Sequence, residues 1–497
     1  LNIYSNTTSS WGGGVFLAGA RATFSNTHIY DNRAASGGGV YAETSGSYDP
    51  ELTLSYTDIH SNEALTGNGG GVYMAGGNIE MLDHSDVYSN TANDGGGVYL
   101  IASELTLRGE YSEIMDNTAE DNGGGIYAQY SIINLDEDAE LAYNVAGADG
   151  SGDGGGAYLN DSNLMCDKSH ILGNRTDEYG GGVYATEHSV LDMDLGGYAC
   201  AGTRCSQLSD NTAGAGYGGG VYARGNSEVD LLQTFVENNV AVYGGGIYAI
   251  QSPVHLNNVL IDYNNATNTT TNRGDGIRLN TGAVLDGVHT TLAYNDDGVA
   301  ISVATVATLT LKNSIIWGHT TSINSTAPTV TYSDIQGGYV GTGNRDVNPR
   351  FVNPAASDFH LKHNSPVVDR CATGESRDFD NGPRPITYVR PATPYDMGAD
   401  EAAPRVGING APCTYGRIQD AVNNAASGDT IQAASYTFTE TVVISGKDLT
   451  ITGGYDVDCT TFITGVTTVD GNGAGSVFEI NSSVTTLRNL GVTGGTA

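Results

Sequence analysis

The sequence predicts an all-β chain folded as a parallel β-helix, in which short strands wind into coils that stack on one another. Three observations support this prediction: a glycine block recurs, an asparagine recurs between the blocks, and helix signals are nearly absent before residue 418. A single coil cannot bury its apolar face, whereas stacked coils share a continuous core. The blocks begin, 25 to 38 residues apart, at Gly12, Gly37, Gly69, Gly95, Gly123, Gly154, Gly180, Gly218, Gly244 and Gly274.

Each glycine block opens a strand, because glycine supplies the positive-φ corner that a tight coil needs. In nine strands an aromatic residue follows the block and one aliphatic residue. Neighbouring residues of a strand face opposite sides, so we expect the aliphatic residues inside and the aromatic residues outside. The inner residues include Val15, Val40, Val72, Val98, Ile126, Val183, Val221 and Ile247, and the outer ones are Phe16, Tyr41, Tyr73, Tyr99, Tyr127, Tyr158, Tyr184, Tyr222 and Tyr248.

This outer aromatic column has two interpretations. It could stack on glycan rings or dock a second helix. It could also be a ladder that stabilises neighbouring coils, which is the interpretation we favour.

An asparagine closes a strand in every coil. Asparagine tolerates the left-handed corner, and its amide can hydrogen-bond to the asparagines of the coils above and below. We therefore expect one internal column whose members are a strand spacing apart, about 4.8 Å. The series is Asn6, Asn32, Asn62, Asn90, Asn117, Asn144, Asn174, Asn211, Asn239, Asn264 and Asn295.

The glycine block reads GGGV, GGGI or GGGA, and the segment that ends in the recurring asparagine reads YSN, YDN, HSN or MDN. They resemble the polymorphic outer-membrane protein repeat, with its G-G-A-[ILV] and F-x-x-N marks, over roughly residues 1–320. The resemblance implies a right-handed parallel β-helix on a bacterial cell surface. We expect at least ten coils over these residues.

The pattern changes after this body, and we divide the chain into three parts. Residues 1–332 are the β-helix body of glycine-rich coils. Residues 333–404 resemble the C-terminal cap of many bacterial surface β-helices. Residues 405–497 resemble the N-terminal cap and first coils of pectate-lyase-like β-helices, and so predict a second β-helix unit. Its capping helix is predicted near 418–426, with an apolar face of Ile418, Ala421, Val422 and Ala425.

Both ends of the sequence are apolar and lie within coils, which suggests self-assembly. Open end coils template further strand pairing. A head-to-tail contact between copies is heterologous, so it would build a filament. The alternative is that these residues are an internal stretch of a longer chain. The predicted contact residues are Leu1, Ile3, Leu487, Leu490 and Val492.

The six cysteines suggest an oxidising, extracellular or cell-surface location. Cys200 and Cys205 enclose a short loop, and Cys413 and Cys459 flank one compact segment, so we predict both pairs as disulfides. Cys166 and Cys371 have no obvious partners.

The net charge of −35 arises from 56 acidic against 21 basic side chains. It argues against nucleic acid and anionic membranes as partners, while surface glycans and divalent cations fit. No apolar run approaches the ~20 residues of a membrane span. Asp378, Asp380 and Asn381 form part of a carboxylate loop that suggests structural calcium. We favour an Asx turn there and predict no other cofactor.

We expect a structural or adhesive protein rather than an enzyme. The alternative is a carbohydrate-active β-helix enzyme, a polysaccharide lyase or hydrolase. Asp296-Asp297 faintly resembles the paired aspartates of polygalacturonases, and His319 supplies half of their histidine element. Adjacent aspartates on one strand point to opposite faces, so adjacency alone would not place an inverting pair. We favour a solvated turn at this position.

Pectate-lyase chemistry needs a Ca²⁺-binding aspartate cluster facing an arginine. Candidates that could meet across coils are Arg224, Glu228, Asp230, Asp275 and Arg278. Scattered surface charge is the interpretation that we favour for them.

Overall fold

The protein, in a computed structural model, consists of parallel coils, as the sequence predicts. Strands of successive coils pair in parallel and in register, so that each coil contributes one strand to each face. The described residues form two compact units, residues 1–346 with 379–381, and residues 347–378 with 382–497. The structure describes residues 1–497 except 109–110, 137, 149, 194–205, 270–271, 297, 326, 363–364, 380, 383, 386–393, 403–404, 457–458, 472, 474 and 497.

The first face of the first unit contains the strands that follow the glycine blocks and two further strands after the last block. In two coils the strand runs on without a break into the next face. The strands are Val15–Ala18, Val40–Glu43, Val72–Leu82, Val98–Arg108, Ile126–Gln129, Ala157–Asn160, Val183–Thr186, Val221–Ala223, Ile247–Ala249, Ile277–Leu279, Val299–Val303 and Thr321–Asn324.

The second face continues the coil. Its strands begin with two long ones that also supply the third face. They are Arg21–Tyr30, Glu51–His60, Ile132–Asp136, Asn163–Asp167, Val190–Met193, Glu228–Leu232, Pro253–Asn257, Val284–Val288, Thr308–Lys312 and Thr329–Thr331.

The third face precedes the asparagines, and a narrow sheet of two-residue strands follows them. The third-face strands are Asn2–Tyr4, Asp86–Tyr88, Glu113–Met115, Glu140–Ala142, His170–Leu172, Ser206–Ser209, Thr234–Glu237, Leu260–Asp262, Thr291–Ala293, Ile315–Trp317 and Asp334–Ile335. The narrow sheet contains Arg33–Ala34, Glu63–Ala64, Thr91–Ala92, Thr118–Ala119, Val145–Ala146, Arg175–Thr176, Thr212–Ala213, Val240–Ala241 and Asn265–Ala266.

Alternate residues of every face point into one continuous aliphatic core. In one coil Val98, Leu105 and Ile114 come from the three faces, and each is fully buried. Full burial of such a side chain contributes about 1.5–3 kcal/mol. The glycine block turns the chain where two coils touch: Gly95 has φ +61°, and a Cβ on Gly96 would lie 2.4 Å from the carbonyl oxygen of Thr118.

The predicted asparagine column is confirmed from Asn6 to Asn295. For example, the backbone N–H and the Nδ2 of Asn90 both donate to Oδ1 of Asn117, each at 3.0 Å. Asn117 Nδ2 in turn donates to the carbonyl oxygen of Val87 and to Oδ1 of Asn144. His319 takes the next place, since its Nε2 lies 3.1 Å from the backbone nitrogen of Asn295.

The aromatic residues form a stacked column on the first face. Neighbouring ring centroids are 4.6–5.6 Å apart and the ring planes are within 16° of parallel. The rings point away from the aliphatic core but cover one another, so that Tyr41, Tyr99 and Tyr184 are buried while Phe16 is 47% exposed. Burial raises the pKa of Tyr127 to about 12.

The second unit begins with an antiparallel hairpin, Phe351–Asn353 and Asp358–Leu361, joined by the 3₁₀ turn Pro354–Ala356. After it lies a buried ion pair, Arg384 Nε to Glu401 Oε2 at 3.0 Å. Arg384 also donates to the carbonyl oxygens of Gly398 and Asp400. These bonds satisfy the guanidinium, as burial of a charge requires.

Among its described residues, three short sheets and one α-helix complete the second unit. The helix Ile418–Asn424 packs on their core, and the Glu440 carboxylate accepts its Ile418 and Gln419 N–H groups. The predicted Cys413–Cys459 disulfide is present, with Cα atoms 5.1 Å apart. The sheets contain Val406–Ile408, Thr430–Ala434, Leu449–Tyr455 and Thr485–Arg488; Thr437–Thr439, Thr467–Asp470 and Leu490–Thr493; and Val442–Ser445 and Phe478–Asn481.

Candidate functional site on the second face

Four polar residues form a row across four successive coils of the second face. Asp192 pairs in register with Asp230, Asp230 with His255, and His255 with Asp286. Each lies between two inward-facing residues in sequence, so strand alternation places all four on the outer side. The row contains three carboxyl groups and one imidazole, the side chains most used for proton transfer and metal binding.

Glu228 joins this row because it lies two residues before Asp230 on the same strand. Its Oε1 is 3.5 Å from Nε2 of His255, and both side chains are a little over 40% exposed. One ligand atom from each of Glu228, Asp230 and His255 lies within 4.8 Å of the others. Among the described residues, no other three His, Cys, Asp or Glu side chains converge in this way.

The row borders an open depression of about 390 Å³. Its polar lining comes from Asp192, Asp230, His255, Asn257 and Asp286, and its apolar lining from Leu231, Leu232, Leu256 and Val288. Oδ1 of Asn257 is buried and makes no hydrogen bond. The depression therefore combines apolar contact surface with convergent polar groups, which is the usual composition of a ligand site.

Two of the five pectate-lyase candidates, Glu228 and Asp230, come together. The other three lie elsewhere on the molecule. Arg278 takes the place after Tyr248 in the aromatic column and donates to Ser302 Oγ at 2.7 Å. Asp275 is fully buried and pairs with Arg273 Nε at 2.8 Å. The nearby charge of Tyr184 raises the pKa of Arg224.

The sequence interpretation missed Asp192, His255 and Asp286. A signal was present, since each is a polar residue that directly follows an aliphatic residue within a short strand, as in Val254-His255-Leu256. This signal was not recognised because loop lengths differ between coils. No fixed spacing in the sequence therefore aligns the residues of the row.

The polygalacturonase-like residues form no comparable site among the described residues. Asp296 Oδ2 pairs with Arg273 at 3.2 Å, and Asp297 lies outside the described residues. His319 is buried at the end of the asparagine column, where burial lowers its pKa to about 3.

The loop proposed for calcium is partly described. Asp378 Oδ1 accepts the backbone N–H of Gly382, and its Oδ2 accepts that of Glu401 at 3.3 Å. Asp380 lies outside the described residues, and calcium binding with Asn381 stays a prediction.

The remaining predicted residues are the cysteines and the apolar residues near the two ends of the sequence. Cys200 and Cys205 lie outside the described residues, so their disulfide stays a prediction. Cys166 is a buried free thiol, and Cys371 is also buried. Leu1, Leu487 and Val492 are exposed, whereas Ile3 and Leu490 are partly buried, and head-to-tail assembly through them stays a prediction.

A second row of carboxyl groups lies on the third face. Asp58, Asp86, Glu113 and Glu140 stand in register on successive coils. His28 contacts Asp58 at 3.0 Å at one end, and His170 contacts Glu140 at 3.5 Å at the other. Burial and the neighbouring carboxylates of Glu113 and Asp58 raise the pKa of Asp86 to about 7.

The fold and this site define a parallel β-helix protein with a polar depression on one face. A family model described as a right handed beta helix region matches residues 1–190. No curated protein sequence matches the chain significantly. Among the described residues, no helix is both long and apolar enough to cross a bilayer.

Two of the solved structures that are similar to the chain are the PL6 family alginate lyase AlyGC and a mutant of it. Each alignment has 11% sequence identity and covers 99% of this chain and 71% of the lyase. The TM-scores are 0.29 for the mutant and 0.24 for the other structure. A structural similarity this low does not identify any catalytic residue in this chain.

The expectation that the chain is not an enzyme is wrong by this comparison, since both neighbours are polysaccharide lyases. The physical error lay in relying on linear motifs. A site on a β-helix is assembled from successive coils, so its residues are far apart in sequence. The absence of linear catalytic motifs therefore does not exclude an enzymatic function.

Proposed function

We propose that this chain is an extracellular polysaccharide-cleaving protein that binds a linear glycan in the depression on the second face. The observation that carries the proposal is the row of Asp192, Asp230, His255 and Asp286, one residue on each of four coils. The Cys413–Cys459 disulfide supports the location, because disulfides persist in oxidising compartments.

The shape of the site suits a linear polymer. Coils are about 4.8 Å apart, so the row from Asp192 to Asp286 extends roughly 14 Å, enough for several sugar rings. The carboxyl, imidazole and amide groups can hydrogen-bond to sugar hydroxyls. Leu232 and Val288 line the same depression and can contact the apolar faces of the rings.

Asp286 is the best candidate for the proton acceptor. It lies at the end of the row, one coil beyond His255, and its side chain is exposed. A carboxylate reachable by the polymer can remove a proton from a sugar carbon in an elimination, or from an attacking water in a hydrolysis.

The test is incubation of the protein with a panel of neutral and acidic polysaccharides, followed by assays for new reducing ends and for unsaturated products. The Asp286→Asn variant should lose cleavage by at least about a hundredfold while it still binds the polymer. Glu80→Gln is the matched control, because Glu80 occupies the same outward column several coils away. Equal activity of wild type and Asp286→Asn would contradict this assignment.

A structural or adhesive role is the second candidate function, and the stacked aromatic column favours it. Eight stacking contacts link the rings of nine successive coils without a break. Binding of a polysaccharide without any cleavage across the panel would favour this second function.

A further inference from the structure

We propose that Glu228, Asp230 and His255 bind one first-row divalent metal ion, such as Mn²⁺ or Zn²⁺. The proposal rests on the proposed function for its role in glycan binding, but not for the binding of the ion itself. The three ligand atoms lie within 4.8 Å of one another, a separation that a single ion at their centre can bridge.

The strands hold these ligands in place. Glu228 and Asp230 are two residues apart on Glu228–Leu232, so both side chains leave the same side of the sheet. His255 lies directly opposite Asp230 on the next coil. The intervening Val229 and the facing Val254 are fully buried, so the backbone beneath the ligands is anchored in the core.

The ligand types favour a first-row ion over calcium. Ca²⁺ takes six to eight oxygen ligands, whereas imidazole suits Zn²⁺ and other first-row metals. Two carboxylates and one imidazole on one side of the ion leave coordination positions open toward the depression. Water or a sugar oxygen can occupy these positions.

The surroundings also favour a cation. Among the described residues that line the depression, none is Lys or Arg, and Asp192 and Asp286 lie on either side of the pair Asp230 and His255. Asn257 also lines the depression, and its buried Oδ1 makes no hydrogen bond.

The test is titration of the metal-free protein with Mn²⁺, followed by paramagnetic resonance and calorimetry, with Zn²⁺ as competitor and Ca²⁺ in parallel. We expect one site that Zn²⁺ displaces. Asp230→Asn and His255→Gln should each weaken it by about tenfold or more. His28→Gln is the matched control, because His28 also contacts a carboxylate, at 3.0 Å, but belongs to no three-ligand group.

Three results would overturn the proposal. Equal binding by all variants would mean that Mn²⁺ binds diffusely to an acidic surface. Ca²⁺ binding as tight as Mn²⁺ binding would contradict the first-row assignment. Loss of specific Mn²⁺ binding in His28→Gln alone would place the ion on the third face, where His28 lies.

The metal proposal and the cleavage proposal can fail separately. One specific Mn²⁺ site in a protein that cleaves no polysaccharide would leave the metal site standing without the proposed function. Cleavage that survives in His255→Gln and Asp230→Asn, with no specific metal binding in the wild type, would overturn the metal site alone.

Discussion

The backbone N–H of Asn295 donates to Nε2 of His319 at 3.1 Å, so an imidazole ends the column that eleven asparagines build. Nε2 must be unprotonated to accept this bond, and the buried ring has its pKa lowered to about 3 by desolvation. The end of the column is therefore sensitive to acid.

The first prediction follows from His319. An unfolded histidine titrates near pH 6.5, so between about pH 6.5 and 3 the unfolded chain binds a proton that the folded chain does not. This residue's contribution to stability is therefore present above pH 6.5 and is lost as pH falls, by up to about 1.4 kcal/mol per pH unit. His319→Asn should lose this dependence while keeping an acceptor.

The measurement is urea denaturation of wild type and His319→Asn at several pH values from 7 to 4. The difference between the two midpoints should change as pH falls. His28→Gln, at an exposed histidine, serves as control. Parallel pH curves for wild type and His319→Asn would contradict the prediction.

The second prediction concerns the middle of the column. Asn117→Ala removes the acceptor for two N–H groups of Asn90 and the donor to the carbonyl oxygen of Val87, all of them buried. Each orphaned group costs about 1–3 kcal/mol, so we expect a loss of roughly 3 kcal/mol or more. Thermal unfolding followed by circular dichroism measures it.

An asparagine outside the column is the control. Asn134 lies on the outer side of the second face, and its Nδ2 donates to the exposed Glu104 Oε1 and to the partly buried Thr106 Oγ1. Asn134→Ala should change stability by no more than about 0.5 kcal/mol. Similar losses in the two variants would argue against the column as a main source of stability.

The third prediction concerns Asp86 in the third-face row. Its raised pKa means that the folded chain binds a proton more tightly than the unfolded chain. Its contribution to stability is present at low pH and is lost as pH rises from about 4 through about 7. Asp86→Asn should therefore be more stable than wild type at pH 8, and the gap should narrow as pH falls.

Denaturation midpoints at pH 8, 7 and 6 test this. Asn retains Oδ1, so the bond that Asp86 accepts from the Glu113 N–H at 3.1 Å can persist. Asp58→Asn is the contrasting variant, because it loses the ion pair of Asp58 with His28. A variant Asp86→Asn that is less stable than wild type at pH 8 would show that the carboxylate is stabilising.

The fourth prediction concerns the glycine blocks. A Cβ on Gly96 would lie 2.4–2.6 Å from backbone atoms of the next coil, so Gly96→Ala must push two coils apart. We expect a cost of about 1–3 kcal/mol or more, as for overpacking. Gly214 is exposed, and its Cβ would meet nothing closer than 3.6 Å, so Gly214→Ala should be nearly neutral. Melting temperatures of the two variants provide the comparison.

Much of the fold could be predicted from the sequence because its determinants repeat. The glycine block opens each coil, and the asparagine closes it through one amide that both donates and accepts. Cys413 and Cys459 flank one compact segment, and the helix Ile418–Asn424 begins at the residue where its apolar spacing begins. Each of these features needs only local chemistry, so neighbouring residues are sufficient to reveal it.

The site was decided by tertiary structure. Glu228 and His255 meet because their strands pair, although 26 residues lie between them. Variable loops offset the coils in sequence, and only strand register shows which outward residues become neighbours. Only the tertiary structure shows that His319 occupies the end of the asparagine column, because a histidine does not match the recurring asparagine in the sequence. Local chemistry makes each coil, whereas the alignment of coils, set by hydrogen bonding between strands, brings distant side chains into one site.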